Sequence, residues 1–147
     1  FKADGRTVIA LPSHYGNWEW GSLSPGLYIK DYKIVAFYKP QTNPYADRFV
    51  RKNRSRTGTM LASIYKTNTT FDSLKNKMSA YIMASDQSPS NPKNAIWVNF
   101  LGRETAFLHG PEKYATRYNC PVFFVDIQRV KRGFYRLELV LLSDNHA

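Results

Sequence analysis

At 147 residues, with 43% hydrophobic and 15% aromatic content, the chain has enough apolar material for one folded core, and no apolar run reaches membrane-spanning length. Its formal charge of +10 calls for an acidic partner: nucleic acid, an anionic membrane, a phosphorylated substrate or an acidic carrier protein. The lone Cys120 excludes an intramolecular disulfide and fits a reducing compartment, and His14, His109 and His146 lack metal-ligand spacing, so no metal site is expected.

The first predicted element is a strand over residues 7–12, Thr-Val-Ile-Ala-Leu-Pro, which runs into Ser13-His14-Tyr15-Gly16-Asn17-Trp18-Glu19-Trp20. Each helical residue turns the chain about 100°, so two positions five apart on one helix lie about 140° apart and do not face each other. His14 and Glu19 meet if His14 sits on the loop leaving the strand and Glu19 lies in the first turn of the next helix. Asn17 is then the expected N-cap, and Glu19 complements the positive end of the helix dipole. A carboxylate on one ring nitrogen fixes the tautomer and raises the basicity of the other, which is the base-and-orienter logic of acyl transfer. Gly16 fits a positive φ or a close backbone approach, and free amides at the helix start could hold an oxyanion. The plain alternative is a core histidine beside a solvated glutamate, with Trp18 and Trp20 as packing residues.

A second strand is expected over 33–38, then a helix over 44–54 ended by Gly58. This helix region carries Arg51, Arg54 and, just beyond, Arg56. Charge runs usually mark a solvated face, but arginine suits bidentate phosphate binding, and Arg51 and Arg54 share a helical face at i and i+3. Local spacing leaves the register open. A helix over 72–78 precedes a strand over 80–84, which delivers Asp86 to its end, where α/β folds place functional groups; loop capping is the alternative role for this aspartate. After a loop at 88–94 come a strand over 94–100, a helix over 111–118 with Pro111 in its first turn, and strands over 122–128 and 134–142 paired across Lys131-Arg132-Gly133. Cys120 reads as a buried structural residue. Strands alternating with helices predict an α/β fold, a mixed, mainly parallel sheet flanked by helices, in one domain spanning 1–147. Ser13 is not framed by a hydrolase elbow, and no phosphate-binding loop or dinucleotide fingerprint is present.

His-x-Gly-Asn-Trp-Glu after a buried strand resembles the motif of the late acyltransferases of lipid A biosynthesis, within the wider glycerolipid acyltransferase group that shares a His-x4-Asp/Glu pair. Three further segments match in order: Tyr38-Lys39-Pro40 through the Arg-rich stretch to Gly58, then Ala84-Ser85-Asp86-Gln87, then Phe100-Leu101-Gly102 followed by Gly110-Pro111. The resemblance implies transfer of a fatty acyl chain from acyl-acyl carrier protein to a hydroxyl of a phosphorylated glycolipid, a lipid A precursor, at the cytoplasmic face of the inner membrane. It implies no cofactor and no acyl-enzyme, with His14 as general base and Glu19 orienting it. Arg54, then Arg51, then Arg56 are the implied phosphate ligands. Asp86 belongs to the substrate side, orienting an arginine or a sugar hydroxyl, and Arg103 and Glu104 lie near the acceptor. Relatives carry an N-terminal membrane anchor and further C-terminal residues, so the chain is read as an internal fragment. An acceptor of the phosphatidylinositol mannoside type is the second enzymatic reading. A basic nucleic-acid-binding module, with Arg51 to Arg56 and the tyrosines as contacts, is the reading from another class; no recognised motif supports it, and no nucleic acid partner is expected.

Overall fold

A computed structural model describes residues 3–144 and 146, without the side chain of Asn94. In chain order the elements are β1 (Val8–Pro12), α1 (Trp18–Leu23), α2 (Pro25–Tyr28), β2 (Lys33–Tyr38), α3 (Pro44–Ser55), β3 (Met60–Ser63), α4 (Thr67–Ser73), β4 (Ser79–Ile82), β5 (Ala95–Phe100), β6 (Arg103–Leu108), α5 (Gly110–Tyr118), β7 (Val122–Lys131) and β8 (Phe134–Ser143). Six strands form one sheet in the order β3-β2-β4-β1-β7-β8. Its neighbours run parallel except for β7 and β8, so the sheet is mixed and mainly parallel, as the sequence predicts.

Both faces of this sheet are apolar, which explains why its inner strands read as continuous hydrophobic runs. Successive side chains point to opposite faces. Ile9, Val35, Tyr81 and Val122 therefore face one way, into a core closed by Phe71 and Leu74 near α4 and by Tyr114 and Ala115 of α5. An aromatic stack fills that layer: Phe71 lies 3.8 Å from Tyr81, 4.6 Å from Tyr114 and 4.9 Å from Tyr118, centroid to centroid. Val8, Ala10, Ile34, Ala80 and Ile82 face the other way, toward α1 and α2, and line a cavity of about 260 Å³ between the sheet and these helices.

One expectation needs correction, and three elements lie outside those the sequence predicts. The helix expected over 72–78 lies at Thr67–Ser73, because that frame turns Phe71, 2% exposed, and Leu74, 8% exposed, into the core. The strands β3 and β6 and the four-residue α2 were not expected; β3 spans four residues, too short to show an alternation. β6 pairs with β5 across Leu101 and Gly102, whose φ values of 52° and 76° fit a two-residue hairpin turn. Gly102 is thus a turn glycine.

The chain crosses the sheet so that β1 and β4 lie side by side, yet their following segments part. β1 leads to α1 on the cavity face, and β4 leads, through the β5–β6 hairpin, to α5 on the core face. Where adjacent parallel strands send their connections to opposite faces, a crevice opens at their carboxyl ends. His14 follows β1 and Asp86 follows β4 at that edge.

Candidate active site

Register brings the first pair together. Ala10 stands opposite Ile82 in the parallel β1–β4 ladder, and Met83 N–H donates to the Ala10 carbonyl at 2.9 Å. Continuing that register by four residues sets position 14 opposite position 86. The side chains meet accordingly: His14 Nδ1 lies 2.7 Å from Asp86 Oδ1, and the His14 backbone N–H donates to Oδ2, also at 2.7 Å. Burial by itself pushes the Asp86 carboxyl up, but the backbone N–H and ring of His14 outweigh it and hold the carboxyl below the usual aspartate value. An ionised carboxylate only accepts hydrogen bonds. Asp86 therefore requires a proton on Nδ1, which leaves Nε2 of a neutral ring as the basic nitrogen. The two side chains are 32% and 34% exposed, so the ring is fixed yet open to a substrate.

Sequence reasoning assigned the orienting carboxylate to Glu19, and here the structure differs. Glu19 turns to Arg54: its two carboxylate oxygens accept from Arg54 Nε, at 3.0 Å, and from Arg54 Nη2. This fork-to-fork pair is the strong geometry for an arginine and a carboxylate. Its physical origin lies in the placement of α1 and α3, since Glu19 occupies the first turn of α1 and Arg54 the last turn of α3. Trp18 sits between the pairs. Its indole meets the His14 ring edge-on at 4.7 Å between centroids, and the Arg54 guanidinium lies 5.5 Å from its centroid. The sequence reading gave Trp18 a packing role and missed this bridge.

The loop between β1 and α1 bends through Gly16, whose φ of +60° disfavours any side chain. A Cβ there would meet Ile127 only at 3.8 Å, so conformation rather than space calls for glycine. Asn17 occupies the N-cap position with no side-chain cap bond; its carbonyl instead accepts from the N–H groups of Trp20 and Gly21, each at 3.1 Å.

The other expected residues separate. Arg51 does not join Arg54 but lines a hollow of about 630 Å³ with Asp47, Arg48, Lys52 and Ser55 of α3 and with Pro40, Gln41 and Thr42 before it. Cations outnumber the one acid there, and the Asp47 carboxylate is turned to the Gln41 N–H at 2.9 Å. Arg56 caps the end of α3 and is exposed. Arg103 and Glu104 are exposed on β6. Asp86 is accordingly the partner of His14 rather than of an arginine. Cys120 is 1% exposed, and burial pushes its thiol up to about 11, with Arg6 opposing, which suits a structural residue. Among the described residues no cluster of His, Cys, Asp and Glu could hold a metal ion, and no helix is long and apolar enough to cross a membrane.

The apolar cavity adjoins this constellation in sequence. Pro12, two residues before His14, and Gly21 and Ser22, just after Glu19, are among its walls, with Val125, Leu137 and Leu139 from β7 and β8. A fixed basic nitrogen, a paired guanidinium and a nearby apolar cavity suit chemistry on a polar group that carries a hydrocarbon chain. The family model for bacterial lipid A biosynthesis acyltransferases matches residues 1–140. No curated protein matches the chain at a significant level.

Proposed function

Because the chain belongs to the bacterial lipid A biosynthesis acyltransferase family, we propose that it moves a fatty acyl chain from the thioester of acyl-acyl carrier protein to a hydroxyl of a lipid A precursor, with His14 as general base and Asp86 as its orienter. The work is placed at the cytoplasmic face of the inner membrane. His14 Nε2 takes the proton of the acceptor hydroxyl as its oxygen attacks the thioester carbonyl. The tetrahedral intermediate then expels the carrier thiolate, which takes the proton back from the imidazolium. No bond to the enzyme forms. Asp86, ionised, stabilises the positive ring and keeps it from rotating. The observation that carries this reading is the doubly bonded Asp86 carboxylate on His14, at 2.7 Å to both the ring and the backbone N–H.

Glu19 holds Arg54 rather than the base. With Nε and Nη2 engaged, the guanidinium keeps its remaining N–H groups for a ligand. It serves the reaction as a fixed positive charge touching the same indole as His14. The acceptor phosphate is assigned to Arg51 in the basic hollow, where Arg48 and Lys52 add charge. The acyl chain is assigned to the apolar cavity behind Pro12, whose walls are almost wholly hydrocarbon.

The test is His14→Ala, assayed with an acyl-carrier thioester and a lipid A precursor. General-base help is worth about 10²–10⁴-fold, and the variant should lose at least that much turnover while melting normally. Retention of a tenth of the parent rate would remove His14 from the role of base.

A further inference from the structure

The β7–β8 hairpin outruns the rest of its sheet. β1 follows β7 only as far as Pro12 opposite Val125, while β7 continues to Lys131 and pairs with β8 alone. Six residues, Asp126 to Lys131, therefore extend past the carboxyl edge of the parallel strands, on the side where His14 leaves β1. At about 3.3 Å per residue this arm is roughly 20 Å long. Its base is covered, with the buried Ile127 against Gly16 and Gly21 and Tyr135 against Trp20, while its tip is exposed.

Its tip has an unusual composition for a segment in water. Residues 129–136 read Arg-Val-Lys-Arg-Gly-Phe-Tyr-Arg, with four cations and no acid. Val130 is 67% exposed and Phe134 59% exposed, and the Lys131 ammonium lies over the Phe134 ring at 4.4 Å. The acidic residues Asp126 and Glu138 stand nearer the sheet, where Gln128 donates to Asp126 at 2.6 Å and Arg136 pairs with Glu138 at 2.8 Å. Apolar side chains at the point with flanking cations, some lying back along apolar surface, match the profile of a lipid headgroup region. Anionic lipids complement the charge, and the acyl region complements Val130 and Phe134. An acidic protein or a nucleic acid would answer the cations and leave the apolar tip in water.

A second hairpin leaves the same edge. β5 and β6 are inserted between β4 and α5, and Gly110 at the start of α5 lies against Met83, just past β4. This insertion exposes Phe100 by 53% and the turn residue Leu101 by 87%. Both chain excursions from the carboxyl edge thus end in exposed apolar residues.

We infer that residues 130–134 at the tip of the β7–β8 hairpin insert into an anionic bilayer and hold the His14 edge of the sheet toward it. The binding stands without the acyl-transfer reading, which it supplies only with an orientation. Sedimentation of the chain with vesicles of phosphatidylglycerol and phosphatidylcholine tests it. The parent chain should bind these vesicles, more weakly at high salt, and bind pure phosphatidylcholine vesicles poorly. Val130→Ser with Phe134→Ser should weaken binding about tenfold, given the apolar area lost, with an unchanged melting temperature. Val130→Trp should strengthen it severalfold, as expected of an interfacial aromatic. Acyl transfer to a detergent-dispersed acceptor should not change in the double serine variant. Equal vesicle binding by parent and double variant, binding indifferent to phosphatidylglycerol, or loss of transfer in detergent would each overturn the inference.

Discussion

Asp86 spends both carboxylate oxygens on one residue, the backbone N–H and ring of His14, and Glu19 spends both of its own on Arg54. The types and order of these four residues are plain in the sequence, but their pairing is not. Five positions along the chain made Glu19 look like the partner of His14, whereas Asp86 comes from 72 residues away because β4 inserts beside β1. No local spacing carries that neighbour relation. Arginine roles follow the same split. Arg51→Ala should raise the KM for a phosphorylated acceptor roughly tenfold, the cost of a charge-assisted hydrogen bond, with turnover little changed. Arg54→Ala leaves the Glu19 carboxylate without its partner and should act on kcat more than on KM. Steady-state kinetics on both variants, with varied acceptor, separates them; a KM effect confined to Arg54→Ala would return the phosphate to Arg54.

At the scale of elements, boundaries were legible where local chemistry sets them. β2 falls where its apolar run lies. α3 starts at Pro44 behind Asn43, whose side-chain oxygen accepts from the N–H groups of Tyr45 at 2.9 Å and Ala46 at 3.2 Å. Placement failed where tertiary packing chooses the frame, as in α4, whose register follows Phe71 into the aromatic stack. α3 also delivers Arg54, so its cap should matter for the site. Asn43→Ala removes both bonds at the helix start and should cost about 1 kcal/mol of stability, seen as a drop in thermal midpoint of several degrees. An unchanged midpoint would mean that packing against β3 and the Glu19–Arg54 pair to α1 hold α3 without its cap.

For the whole molecule, the alternation of strands and helices carried the fold class and composition the basic character, while the cavity emerged only from the sheet. Its walls draw alternate residues from strands far apart in sequence, such as Val8 and Ala10, Ile34, Ala80 and Ile82, between residues that face the other core. Period-2 alternation is hidden when both faces are apolar. Ala80 contributes the smallest kind of side chain to this wall, beside its ladder partner Val8. Ala80→Phe should therefore fill part of the cavity and shift donor preference toward shorter acyl chains, read as relative kcat/KM across a series of acyl-carrier donors. An unchanged chain-length profile would move the acyl chain elsewhere.

The two carboxylates make opposite claims on one imidazole, and nitrogen-detected NMR of the His14 ring reads the difference directly. With Asp86 as acceptor, the neutral ring should carry its proton on Nδ1. Asp86→Asn should disturb that tautomer, because the amide has one oxygen for two N–H donors, while Glu19→Gln should leave it in place. A ring that holds its tautomer in Asp86→Asn and loses it in Glu19→Gln would contradict the assignment of Asp86 as the orienter of the base.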